Sequence, residues 1–296
     1  MASPVVCGAA GEDYSAGALS PLTVASLFYI TPGAAIVVAA LVAIYALGAR
    51  RAGRALGRSR KIMFGWSVAT LLLALGPMDT AGVGHRFFLA HMIEHFTLTL
   101  IVPPLLILAT PDWMLRPWML SRPFRPVMAL LTKPLVAFLF FTLIFVGVHD
   151  PLILDAACYR EALRIPIHLL LILAGLVMWW PVMSPLPEFP RLSYPHQIFY
   201  VFLLLIPMTA VAAPITLAHQ VLYTWYVPAP HPLGLTPMED QVLGGLFMWI
   251  VDGLFLMCMF SAIFFQWYQQ EEASQSGSGA ARRAQLRAVP TPHAKA

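Results

Sequence analysis

Seven runs of apolar residues, five of them 17 residues or longer and two of 15, leave this chain little choice of fold, because about 17–25 apolar residues cross the roughly 30 Å of hydrocarbon in a bilayer. They lie at 31–47, 62–76, 86–109, 134–148, 164–183, 197–218 and 240–266, each ending at charged or Pro/Gly punctuation. Backbone polar groups inside a bilayer must be satisfied within their own segment, so the runs predict an all-α, polytopic membrane helix bundle of about seven spans. Composition agrees: 59% of the 296 residues are hydrophobic and 11% charged, against roughly a quarter charged in soluble domains. A soluble enzyme and a nucleic-acid binder are excluded as primary readings.

The basic residues give the predicted sidedness. Arg50, Arg51, Arg54, Arg58, Arg60 and Lys61 fill the first connection, and Arg116, Arg122, Arg125 and Lys133 the next loop on that side. With Arg191, Arg282, Arg283, Arg287 and Lys295, 15 of the 18 Lys and Arg fall on one side, which reads as cytoplasmic. Only Arg86, Arg160 and Arg164 fall outside, so the N-terminus is predicted outside and the C-terminus in the cytoplasm. The first 20 residues lack the charged start and compact apolar core of a cleavable signal, and residues 1–30 are predicted to lie outside, with 19–30 along the interface. Residues 267–296, rich in Ser, Gly, Ala and Arg, are predicted to be a disordered cytoplasmic tail. Cys7 and Cys158 share the outer side, where a disulfide is permitted and two unpaired small residues are the alternative. Cys258 lies between Met257 and Met259, and consecutive side chains on a helix point about 100° apart, so packing is favoured there.

Ionisable groups inside a bilayer are costly and mark function by default. The third run supplies three: His91, Glu94 and His95, at offsets of three and four, project from one face of a helix. A rise of about 1.5 Å per residue from Arg86 sets His91 at roughly 7 Å and His95 at roughly 13 Å of depth. Two imidazoles on one face suit Cu, Zn, Fe or Ni; mutual hydrogen bonding is the plainer alternative. Seven of the nine histidines fall on the outer side, among them His85, His149, His168, His219 and His231. His168 is the candidate third ligand. His149 and Asp150 close the fourth run, where the acid can orient the imidazole or form a helix-terminal turn. In the seventh run Gln241, Gly244, Gly245, Met248 and Asp252 share a face: the glycines permit close helix approach, Met248 offers a thioether, and Asp252 near mid-membrane needs a cation or a proton. Candidate metal-site residues are thus His91, His95, His168, Glu94, Asp252 and Met248, with His149, Asp150, Gln241 and His219 orienting ligands or lining the approach.

His91-Met92-Ile93-Glu94-His95, followed by Val102-Pro103-Pro104-Leu105 and on to Thr110-Pro111, resembles the CtaG family of multi-pass cytochrome c oxidase assembly factors, named from the caa3-type oxidase. His149-Asp150-Pro151, Trp180-Pro181-Val182 and the stretch from Gln241 to Trp249 extend the resemblance over residues 62–265. Glu94 stands where glutamine is expected in many relatives. The resemblance implies a respiratory-chain role in the bacterial inner membrane: maturing a haem-copper oxidase at the step that supplies copper, with oxidase subunits and periplasmic copper chaperones as partners and no nucleic acid. Copper is the implied metal, with zinc or haem as alternatives. Two other readings stand beside it. His91-x-x-Glu94-His95 also fits the H-x-x-E-H pattern of zinc hydrolases, which needs a third ligand such as Asp252. A copper or proton transporter would use the buried His, Glu and Asp groups as a relay, although the inner half lacks a chain of ionisable groups.

Overall fold

Wherever the seven apolar runs are described they fold as helix, and the described residues of this computed structural model, 30–78, 87–227 and 234–288, contain no strand. Expectations placed on residues 1–29, Cys7, His85, Arg86 and His231 lie outside the described residues. Helix α1 (Pro32–Ala52) starts where the Thr31 hydroxyl accepts from the Ala34 amide at 3.2 Å, and ends at Gly53, whose φ of 59° is cheap for glycine alone. Helix α2 (Arg58–Leu73) runs on through a wide π turn, Ala74–Met78. Helices α3 (Phe88–Phe96) and α4 (Val102–Ala109) are two halves of one rod joined by a π turn, Thr97–Ile101. Short helices α5 (Asp112–Met119) and α6 (Arg125–Leu131) lead to α7 (Pro134–Val148), α8 (Pro151–Tyr159), α9 (Glu161–Met183) and α10 (Tyr194–Leu217). Helix α11 (Pro237–Phe247) passes through a third π turn, Met248–Asp252, into α12 (Gly253–Ala288).

Among the described residues five helical stretches are long and apolar enough to cross a membrane: Pro32–Ala52, Phe88–Ala109, Ala162–Met183, Tyr194–Leu217 and Pro237–Gln275. The pair α6 and α7, bent by 82° where Pro134 starts a new helix, makes a sixth if taken as one span. The run at 62–76 lies in α2 and its π turn, behind a first turn that carries Arg58, Arg60 and Lys61. The end of the chain departs from expectation: α12 continues past residue 266 to Ala288, where disorder was predicted. Gln269, Gln270, Glu271, Glu272 and Ala273 are good helix formers, so the helix extends past residue 266 through them.

The rod α3–α4 is central, with 67% of its apolar stretch buried, whereas α1 is peripheral at 17%. A side chain at Gly33, near the start of α1, would overlap Ile165 near the start of α9, and one at Gly48 would meet Met114 Cγ at 3.1 Å, just beyond α4. Helix α1 therefore runs parallel to α3–α4 and α9. Phe88, Met92, Phe141, Trp179, Tyr200 and Met248 belong to one apolar core among these rods.

Proline placement explains the break in the central rod. Pro103 has no N–H, so the carbonyl four residues back, Thr99 O, lacks its helical donor. The indole of Trp179 on α9 donates to that oxygen at 3.2 Å. The Thr99 hydroxyl in turn donates to His95 O at 2.6 Å. Gly175 makes the crossing possible, because a Cβ there would stand 2.8 Å from Thr99 O and 2.6 Å from Pro103 Cγ.

Candidate functional site

The start of α3 is fixed from a distant part of the chain. Thr236 and Glu239 form a capping box at the head of α11, with Pro237 in the first turn. Asp240, one residue further on, caps α3: its Oδ2 accepts from the Phe88 amide at 2.6 Å and its Oδ1 from Leu89 at 3.1 Å. Gly244 and Gly245 allow the contact, since side chains there would overlap Phe88 and Thr216 respectively. Helix α11 therefore sets the level at which His91, Glu94 and His95 enter the bundle.

Those three side chains are 8%, 0% and 2% exposed, and two further histidines converge on them: His149 from the end of α7 and His168 from α9, at 4% and 2%. Glu94 lies between two imidazoles, its Oε2 3.5 Å from His91 Nδ1 and its Oε1 3.2 Å from His168 Nε2. Arg164, four residues before His168 and 8% exposed, stands within electrostatic reach of Glu94. The buried Glu94 carboxyl group thus has an imidazole on either side and a guanidinium in electrostatic reach.

The other half of the cluster is a directed chain of hydrogen bonds. His149 Nδ1 is 2.6 Å from the Phe145 carbonyl, an acceptor, so this nitrogen carries the proton and donates. In the neutral ring Nε2 of His149 then has a lone pair and accepts, and the nitrogen facing it at 3.2 Å is His95 Nδ1, which must donate. The network assigns the remaining nitrogen, His95 Nε2, as a bare lone pair. That atom is buried and has no hydrogen-bond partner. The ring of His91 lies beside it, with centroids 4.2 Å apart and planes at 52°. A histidine whose second nitrogen donates within the protein is the usual form of a metal ligand. Among the described residues no three His, Cys, Asp or Glu side chains stand ready as a metal cage. What the arrangement offers an ion is the His91 and His95 pair, with further positions left open.

The other sequence candidates fall elsewhere. Asp150 is exposed and caps α8 by accepting from the Leu152 amide at 3.0 Å, so the helix-terminal turn is correct and the Phe145 carbonyl, not the acid, orients His149. Gln241 braces the loop beyond α10, accepting from the Leu222 amide at 2.6 Å and donating to Gln220 O at 3.3 Å. His219 is exposed in a bend. Met248 is part of the apolar core, and Asp252, 3% exposed, lies in the π turn below it with Oδ1 lacking any hydrogen-bond partner. Among the described residues Asp252 does not join the histidines in a group of three ready to hold a metal.

Sequence reasoning passed over Arg164 as a site residue, although its spacing of four from His168 puts both on one face of α9. It also missed the cover over the cluster. The Tyr223 hydroxyl donates to His149 O at 2.9 Å while its ring stacks on Phe88 at 4.5 Å. Asp155 of α8 clamps the following turn through the Thr224 hydroxyl at 2.6 Å and the Thr224 amide at 3.1 Å. Near it, Cys158 Sγ lies 3.9 Å from the Tyr226 hydroxyl, and burial pushes this thiol up to about 12.

A bundle of apolar helices closed around five buried imidazole and carboxyl groups defines a helical membrane protein with an internal polyhistidine site. The cytochrome c oxidase caa3 assembly factor family, Caa3_CtaG, matches residues 43–270. The chain belongs to that family. It is also similar to two uncharacterized proteins, one of Mycobacterium bovis and one of Mycobacterium tuberculosis, each 26% identical over 241 residues. The match covers 75% of this chain and 36% of each relative, so the chain spans about a third of the length of the curated relatives it matches. No solved structure matches it.

Proposed function

We propose that this protein binds copper at the His91 and His95 pair as cargo and helps to insert it into a haem-copper cytochrome c oxidase. His149 positions His95, and Glu94, balanced by His168 and Arg164, sets the charge around the ion. The observation that carries the reading is the buried, partnerless Nε2 of His95, held as a lone pair by the chain from Phe145 O through His149. Two protein nitrogens with open positions suit an ion in transit better than a closed structural site, and imidazole suits copper. The chain crosses the bacterial cytoplasmic membrane seven times, N-terminus outside and C-terminus inside. The grouping of 15 of 18 basic residues on one side and the parallel run of α1, α3–α4 and α9 support that topology. It puts the histidines in the outer half, facing oxidase subunits and periplasmic copper chaperones as partners.

The test is the copper content of the purified protein after Cu(I) loading, together with oxidase maturation in cells. The His91→Ala, His95→Ala double variant is expected to lose both. Equal copper in the variant and the wild type refutes the site. Glu94→Gln separates this reading from a zinc hydrolase: a transfer protein keeps oxidase maturation, whereas a hydrolase loses its general base.

A further inference from the structure

At the end of the bundle away from the histidines, α1 and α5 enclose a cleft of about 620 Å³ lined by Ala52, Arg54, Asp112, Trp113, Arg116 and Ser121, among others. Its walls are set by the local chain. Gly53 ends α1 in a left-handed turn, which brings Arg54 to the rim. Gly48 lets Met114 of α5 seat directly on α1. Arg116 Nη2 lies 2.7 Å from Glu188 Oε1 in a partly exposed ion pair. Helix α1 has 21 residues, about 31 Å at 1.5 Å each, close to the thickness of the hydrocarbon layer. Ala52 therefore falls at the membrane surface and the cleft in the headgroup layer, whichever way the chain faces.

The charges in the cleft are mixed. Arg54 and Arg116 supply guanidiniums, but Asp112 opposes them and Glu188 already engages Arg116. A purely anionic head would meet the Asp112 carboxylate. A phosphate that carries a primary ammonium satisfies both signs: guanidinium to phosphate, and ammonium to Asp112 and the face of Trp113. We propose that this cleft binds the headgroup of a phosphatidylethanolamine-type lipid. Trp118, 63% exposed on the same short helix, suits the interfacial level at which that head sits.

The test measures the thermal unfolding midpoint of the full chain in detergent micelles doped with phosphatidylethanolamine, phosphatidylglycerol or phosphatidylcholine. Phosphatidylethanolamine is expected to raise the midpoint most. Arg54→Gln removes that extra rise, Asp112→Asn abolishes the preference over phosphatidylglycerol, and Arg125→Ala, outside the lining, keeps the wild-type order. Equal shifts from the three lipids overturn the proposal. So does an Asp112→Asn variant whose midpoint falls equally in all three with the preference intact, since Asp112 then only supports its helix. Soluble phosphoethanolamine producing the whole shift overturns the lipid assignment in favour of a free-anion site.

Discussion

Gly175→Ala is the sharpest perturbation of the scaffold that holds the histidines. A Cβ at residue 175 would stand 2.8 Å from Thr99 O and 2.6 Å from Pro103 Cγ, where ordinary contact begins near 3.4 Å. Both neighbours belong to a rigid, proline-bounded stretch, so α9 must retreat by about 0.6–0.8 Å, an overpacking cost of about 1–3 kcal/mol. The Trp179 indole bond to Thr99 O, already 3.2 Å, would be stretched, losing about 1 kcal/mol more. Alanine regains about 1 kcal/mol of helix propensity, leaving a net loss of roughly 1–3 kcal/mol. Gly65→Ala, with nothing within 4 Å of its Cβ, is the control and keeps the gain alone. A denaturing-detergent titration should separate the two variants by roughly 2–4 kcal/mol. His168 lies two turns from Gly175 on the same face, so Gly175→Ala should also weaken metal loading. A Gly175→Ala protein as stable as the control would refute the close-crossing account of α3–α4 and α9.

Removing the Asp240 carboxylate (Asp240→Ala) strips two caps from α3 and is expected to cost about 1–2 kcal/mol, read in the same titration; no loss would mean that α3 starts without it. The Cys158 thiol, pushed up to about 12 by burial, should resist alkylation at neutral pH and react about tenfold faster per pH unit toward 12. An unfolded thiol ionises near 9.0, so the contribution of this group to stability is whole below pH 9 and falls as pH rises to about 12; fast labelling at pH 7 would contradict its burial. Asp155→Ala unclamps the turn over the cluster and should speed copper uptake in stopped-flow measurements without changing the final copper content.

Much of the fold was legible because lipid imposes a single rule on the backbone. Apolar length alone located the long helices, and the spacing of His91, Glu94 and His95 put the three on one face. Gly244 and Gly245 were readable as a contact because only small residues let helices approach so closely. What escaped depends on partners far along the chain. The π turn after Phe96 exists because Pro103 lacks a donor and Trp179, 80 residues from Thr99, supplies one. His149 takes its orientation from a backbone carbonyl, which no side-chain motif reveals, so the adjacent Asp150 seemed the natural partner. Arg164 was legible by spacing but was read as a topological charge, because its burial follows only from the way α9 packs within the bundle. The acid–thioether stripe of Met248 and Asp252 had the right period, yet a period fixes a face and not what that face meets.

The central claim is that copper sits on the bare nitrogen of His95. X-ray absorption at the copper edge of the Cu(I)-loaded protein tests it directly: imidazole scattering is expected in the wild type and in Asp252→Asn, and its loss in His95→Ala. A sulfur-dominated spectrum, or an imidazole pattern unchanged in His95→Ala, would contradict it.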